Sequence, residues 1–204
     1  MIKILFADED ISVCCKPRGV LSEGEGSDCL PSMLSKTLGE KYTVYPVHRL
    51  DRDTEGIMVY ALNKKAAAEL SRQITEGMLG KEYVAELCGV FPEEEGTLRD
   101  LLFYDRRQGR SYVVKKERKG VKEAVLDYRV IGRSEKSTKV RIRLHTGRTH
   151  QIRVQFASRG FPLMGDRRYG APAGSGELAL TSCYLSFAHP TTKAQMEFSL
   201  DDDK

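Results

Sequence analysis

Seven consecutive residues past the middle of the chain, Lys139-Val140-Arg141-Ile142-Arg143-Leu144-His145, alternate polar and apolar without a break. Side chains alternate faces along a strand and not along a helix, so this stretch specifies a strand with Val140, Ile142 and Leu144 on a core face. Lys139, Arg141, Arg143 and His145 form the other face, a basic ribbon that is either plain solvent-facing charge or a platform for backbone phosphates. The period-two pattern recurs at Lys81–Val90, where Tyr83, Ala85 and Leu87 share a face, and at Ala124–Ile131. A chain with several such segments folds around a sheet.

Residues 2–6 and 11–15 read as two more strands, and the Asp8-Glu9-Asp10 turn between them makes a hairpin. Lys16-Pro17-Arg18-Gly19 ends the second, because proline cannot continue a central ladder. Ser27 or Asp28 caps a first helix with Pro31 in its first turn, Leu30, Leu34 and Leu38 on one face and Gly39 as its stop. A second helix runs over Lys64–Thr75 with Asn63 as N-cap and Gly77 just past its end. The spacing predicts a third helix from His150 to about Ser158, capped by Thr149 and ended by Gly160. Strands at 57–62, about 178–187 and 194–200 complete the pattern. Strands outnumber helices and follow one another in meander order, so the expected class is α+β, a mixed, largely antiparallel central sheet with flanking helices.

Of the 204 residues, 40% are apolar and 30% charged, ordinary for a soluble domain with a real core. No apolar run approaches the roughly 20 residues of a membrane span. No basic segment followed by an apolar one opens the chain, so a cytoplasmic location and no membrane partner are expected. Cysteines 14, 15, 29, 88 and 183 show no Cys-x-x-Cys spacing, which argues against a disulfide framework or a structural zinc site. Cys14 and Cys15 point to opposite faces of their strand and are expected to be buried, reduced thiols. The net charge of +4 understates the body, because Asp201-Asp202-Asp203-Lys204 reads as an acidic tail that leaves +6 on the rest. A polyanionic partner is compatible with that charge but not demanded by it.

Chemistry concentrates in Val47-His48-Arg49-Leu50-Asp51-Arg52-Asp53-Thr54-Glu55-Gly56. Guanidinium groups two residues before and one after Asp51 favour its charged form. These ten residues alone fit either a salt-bridged surface turn before the 57–62 strand or a persistent catalytic carboxylate beside groups that attract phosphate. The stretch from 93 to 122 carries Arg106, Arg107, Arg110, Lys115, Lys116, Arg118 and Lys119 with Tyr104 and Tyr112 interleaved. It reads as a solvated hairpin or long loop, or as an RNA-facing insertion. Arg153 falls in the first turn of the third helix, where a cation opposes the macrodipole, so a partner carboxylate or phosphate is expected.

Four segments, in this order, resemble the RluA-type pseudouridine synthases of ribosomal and transfer RNA. Val13-Cys14-Cys15-Lys16-Pro17-Arg18-Gly19 is similar to that family's strand and Lys-Pro-x-Gly turn. His48-Arg49-Leu50-Asp51-Arg52-Asp53-Thr54-Glu55-Gly56 is close to its His-Arg-Leu-Asp-x-x-Thr-Ser-Gly. Lys81-Glu82-Tyr83-Val84-Ala85 matches its Lys-x-Tyr-x-Ala strand. Thr146–Val154 followed by Pro162–Gly170 matches its last motif. Together they span about residues 10–190. Glu55 stands where the family has Ser, and Gln155-Phe156 where it has His-Met.

The resemblance implies the pseudouridine synthase catalytic fold as a single domain over residues 1–200, without an N-terminal S4-like RNA-binding domain. It also implies an isomerase that cleaves the C1′–N1 bond of a uridine in RNA, turns the uracil in place and rejoins it through C5, with no cofactor and no metal. Asp51 then corresponds to the essential carboxylate, Tyr83 to the active-site tyrosine and Arg153 to the arginine that pairs with the aspartate. Arg49 corresponds to a residue that displaces the target base. His48, Arg148, His150, Arg141 and Arg143 join Arg49 as expected substrate-binding residues, while His145 and His189 are expected to be structural or surface residues. The expected partner is ribosomal or transfer RNA, and the protein is expected to be a monomer without an obligate protein partner. Two rivals remain: a nucleoside or glycoside hydrolase, with Asp53 as a second carboxylate, which would release free uracil; and a non-catalytic RNA-binding module, which has no use for Asp51, Tyr83 and Arg153 together.

Overall fold

The computed structural model describes residues 2–39 and 41–200. The expected acidic tail, 201–204, lies outside the described residues. The chain divides into two compact units, Met1–Lys81 with Thr181–Lys204, and Glu82–Leu180.

In the first unit, β1 (Lys3–Ala7) and β2 (Ile11–Lys16) form the expected antiparallel hairpin, and β2 pairs antiparallel with β4 (Glu55–Ala61). A two-residue β3 (Tyr45–Pro46) pairs with the end of β4. β10 (Leu180–Ala188) lies parallel to the start of β4 and antiparallel to β11 (Gln195–Ser199). The parallel β4–β10 pair among antiparallel ones makes the sheet mixed.

Helix α2 (Lys64–Thr75) begins where its sequence dictates. The Asn63 side chain accepts from Ala66 N at 2.9 Å, and Gly77 follows the end at φ +71°. Its Ala66 and Leu70 pack on Ile11, Val13, Ile57, Val59, Leu185 and Phe187, the core of this unit. Full burial of each large aliphatic side chain contributes about 1.5–3 kcal/mol. Gln73, fully buried on the same helix, mimics a peptide group: its Nε2 donates to Ala188 O at 2.9 Å and its Oε1 accepts from Ala188 N at 3.0 Å.

Helix α1 (Leu30–Leu38) forms as expected, but its N-cap is Cys29 rather than Ser27 or Asp28. Pro31 removes one of the donors a cap would serve, and Ser27 Oγ instead bonds Asp28 Oδ1 at 3.1 Å. Leu30 and Leu34 are buried, whereas Leu38 at the helix end is only partly covered. Cys14 is buried, with its thiol pushed up to about 12 by burial, while Cys15 on the opposite face is half-buried and not buried as expected.

In the second unit the antiparallel order is β5 (Gly80–Cys88), β9 (Ser137–Leu144), β8 (Val121–Arg133), β6 (Glu95–Asp105) and β7 (Arg110–Val114). Val140 and Ile142 are buried on β9 and Tyr83, Ala85 and Leu87 on β5, as the alternation requires. The basic 93–122 stretch is therefore an ordered hairpin. Helix α3 (Gln151–Ala157) packs Val154 against Leu102 and Ala124 of β6 and β8. Its start differs from expectation: His150, at φ +54°, is the N-cap, and Thr149 instead offers its carbonyl to Ser111 Oγ at 2.6 Å. The Gln151 side chain serves the turn, with Oε1 accepting from Thr146 Oγ1 at 2.8 Å and Arg148 N at 3.0 Å. Gln155, a departure from the family pattern, is fully buried and ties α3 to β6 through Asp100 Oδ2 at 2.7 Å and Leu98 O at 3.3 Å.

Candidate active site

The Asp51 loop is built by the turn that follows β2. Gly19 N donates to Arg52 O at 2.9 Å, and Arg52 Nε returns a bond to Gly19 O at 2.9 Å. Ser22 Oγ donates to Leu50 O at 2.7 Å and accepts from Leu50 N at 3.2 Å. Thr54 N closes the turn on Asp51 O at 3.1 Å. The Leu50 amide and the carbonyls of Leu50, Asp51 and Arg52 are thus committed, and the half-buried Asp51 carboxylate is presented from a fixed backbone.

Lys16 completes the clamp. It is fully buried, and its ammonium donates to three carbonyls, Val20 O at 2.7 Å, Arg52 O at 2.8 Å and Pro17 O at 3.0 Å. Burial pushes it down to about 8, against the opposing pull of Asp53, Asp51 and Glu55. Pro17 and Gly19 turn the chain so that these carbonyls converge. Glu55 contributes a further tie, with Oε1 accepting from Arg18 Nη2 at 3.2 Å and Thr181 Oγ1 at 3.3 Å.

Gly56, immediately after the loop, has φ +118°, and a Cβ there would sit 2.2 Å from Ser182 O. Only glycine allows β10 to approach β4 so closely at this point. His48 is turned onto the sheet, with Nε2 accepting from Val59 N at 3.1 Å. Burial, reinforced by Lys81, holds the imidazole well below its ordinary value, so it is neutral. Arg49 is exposed and pairs with Glu23 at 2.8 Å.

In the second unit Tyr83 is buried on β5 opposite Ile142 of β9. Arg153 projects from the first turn of α3 and is gripped by Asp166, Nε to Oδ2 at 2.6 Å and Nη2 to Oδ1 at 2.8 Å, with both side chains almost fully buried. The carboxylate expected from its position in the helix is therefore present within its own unit. The Tyr169 ring centroid lies 5.2 Å from the Arg153 guanidinium.

His150 Nδ1 lies 2.9 Å from Tyr169 Oη. Arg148 donates to Glu123 O at 2.8 Å and borders an open groove of about 770 Å³ lined also by Phe103, Tyr104, Arg106, Arg107 and Lys122. The β9 ribbon is partly neutralised: Arg141 Nε pairs with Glu82 at 2.6 Å and His145 with Asp127 at 2.6 Å, while Arg143 is exposed across from Asp127. His189 is buried and bound to Asp8 at 2.9 Å.

Sequence reasoning passed over Asp166, Tyr169 and the role of Lys16. A cation in a first helical turn was a signal that some carboxylate was needed, but not which one. Among the described residues no group of three or more His, Cys, Asp or Glu side chains is placed to hold a metal ion.

The clamped aspartate loop and the buried arginine fall within residues 10–158, which match the RNA pseudouridylate synthase family model. The chain belongs to that family. An uncharacterized RNA pseudouridine synthase of Aquifex aeolicus is 36% identical over 98% of this chain and 69% of its own. The dual-specificity RNA pseudouridine synthase RluA of Yersinia pestis is 34% identical over 97% of this chain and 98% of its own. The structure of human RNA pseudouridylate synthase domain containing 1 superposes with TM-score 0.81 at 26% identity, covering 99% of this chain and 84% of that one. The fold is that of the pseudouridine synthases, as the resemblance implied. The protein is an RluA-type isomerase that makes pseudouridine in RNA.

Proposed function

We propose that Asp51 is the catalytic carboxylate of this synthase, with Tyr83 and Arg153 completing the catalytic set and residues 1–200 acting as one catalytic domain. The observation that carries this reading is the clamp on the Asp51 loop: Lys16, Gly19, Ser22 and Thr54 hold the backbone of residues 50–52, so the carboxylate is presented from a pre-organised loop. Asp51 acts on the target uridine either as nucleophile at C1′ or as base at C2′, and either route breaks the C1′–N1 bond. After rotation of the uracil, C1′ bonds to C5, the C5 proton is released and N1 takes up a proton, so no redox change or group donor is involved. Tyr83 packs against the uracil and takes part in proton transfer. Arg153 keeps the carboxylate oriented and charged.

The substrate is a structured ribosomal or transfer RNA. Arg49, an exposed cation near the acid, displaces the target base, with His48 beside it. Arg148, His150, Arg141 and Arg143 contact the RNA, and the basic, aromatic groove along β6 and β7 offers phosphate and stacking contacts. The enzyme works as a cytoplasmic monomer. No helix among the described residues is long and apolar enough to cross a membrane. Pseudouridine mapping across cellular RNA with and without the gene tests the reading. Loss of one or a few sites in ribosomal or transfer RNA is expected. An unchanged map, or release of free uracil by the purified protein, contradicts it.

A further inference from the structure

The groups around Arg153 exceed what charge balance requires. Asp166 engages the guanidinium through both carboxylate oxygens, which fixes the plane of the group and the direction in which Nη1 points. The segment carrying Asp166 is itself rigid. Gly165 has φ +75°, and a Cβ there would lie 2.0 Å from Glu177 O. Asp166 N donates to Leu163 O, and Asp166 O accepts from Tyr169 N and Ala171 N, each at 3.0 Å. The 3₁₀ turn Arg167–Tyr169 that follows brings Tyr169, three residues on, to the same guanidinium.

Tyr169 is locked at its other end. Its Oη accepts from Ser111 N of β7 at 2.8 Å and lies 2.9 Å from His150 Nδ1, and Arg110 covers its ring at 4.9 Å. Burial pushes its hydroxyl up, so it stays protonated. A buried ion pair is weak grounds for stability, since an apolar replacement is often as stable, while fixing geometry is its better-attested use.

We propose that Asp166 and Tyr169 are positioning residues for Arg153: the carboxylate sets the guanidinium plane, and the ring, anchored on β7, supports it from one face. The inference rests on the reading of Arg153 as part of the catalytic set.

The test uses the full-length protein and ribosomal and transfer RNA transcripts carrying tritium at uridine C5, reading tritium release under single-turnover conditions. Asp166→Asn is expected to lower the rate by about 10²-fold, the scale of a small misplacement of a catalytic group. The RNA concentration at half-maximal rate stays within about threefold of wild type, because binding is not what is lost. A rate within about threefold of wild type, or a loss carried by that half-saturation concentration, overturns the proposal. Asp166→Glu covers the case in which the Asn variant does not fold. It keeps the charge but not the two-point geometry, and the same split between rate and half-saturation is expected, with a wild-type rate again overturning the proposal. Arg153→Ala separates the two levels: if that variant keeps its rate, the reading of Arg153 falls. If it loses its rate while both Asp166 variants keep theirs, only the positioning role falls.

Discussion

The two units hold their key side chains by different means. In the first, the Asp51 loop is gripped through its backbone by Gly19, by Ser22 Oγ and by Lys16, whose buried ammonium is satisfied by three carbonyl dipoles. In the second, Arg153 is fixed by side chains, a carboxylate with both oxygens engaged and an aromatic ring. Ties to the backbone fix the loop that carries the acid, and Asp51 lies within electrostatic reach of the buried Lys16. An arginine gripped by both oxygens of a carboxylate has the plane of its guanidinium set by side chains.

The largest effect short of the active carboxylate itself is expected when the dipole clamp is broken. Lys16→Met keeps the length of the side chain but takes the ammonium donor from the carbonyls of Pro17 and Val20, and leaves Arg52 O with Gly19 N alone. Unsatisfied buried acceptors cost about 1–3 kcal/mol each, offset in part because a desolvated charge is removed as well. Both the denaturation midpoint and the rate of pseudouridine formation should fall, and a variant that unfolds more easily yet turns over at the wild-type rate would detach the clamp from catalysis.

Asn63→Ala, in the same unit but away from the loop, serves as the counterpart. Loss of the cap on α2 is expected to lower stability by about 1 kcal/mol, with turnover unchanged, as urea melts and the tritium assay would show. An equal loss of turnover would mean that global stability, not the clamp, governs the Lys16 result.

The smallest effect concerns pH. Burial pushes Lys16 and Lys81 down to about 8 from an ordinary value of 10.5. Between those limits the unfolded chain binds protons that the folded chain has released, so stability rises with pH from about 8 toward 10.5. Lys81→Met should remove its share, on the order of 1 kcal/mol per pH unit at most, and flatten the rise in urea midpoint between about pH 8 and 9.5. A wild-type midpoint that falls across that range would contradict the description of these lysines.

Much of this was legible in local pattern. Alternation at 139–145 and 81–88, and the Asn63 and Gly77 punctuation of α2, depend on neighbours in sequence and were matched by the structure. The resemblance of the 48–56 stretch to a family motif pointed to Asp51. What was not legible depends on contacts made only in three dimensions. The parallel pairing of β4 with β10 joins residues 55–56 to 181–182. The left-handed His150 cap exists because Gln151, not Thr149, satisfies the turn. Asp166 lies inside the Pro162–Gly170 match with no role attached, because nothing in a sequence says which of 29 acidic residues will meet a given arginine.

The central claim is that the clamped Asp51 carboxylate does the chemistry. Asp51→Asn preserves shape and removes the charge, and both RNA binding and pseudouridine formation can be followed on the same transcripts. The account predicts binding within a few-fold of wild type and no detectable isomerisation; an Asn variant that still forms pseudouridine at the wild-type rate would contradict it.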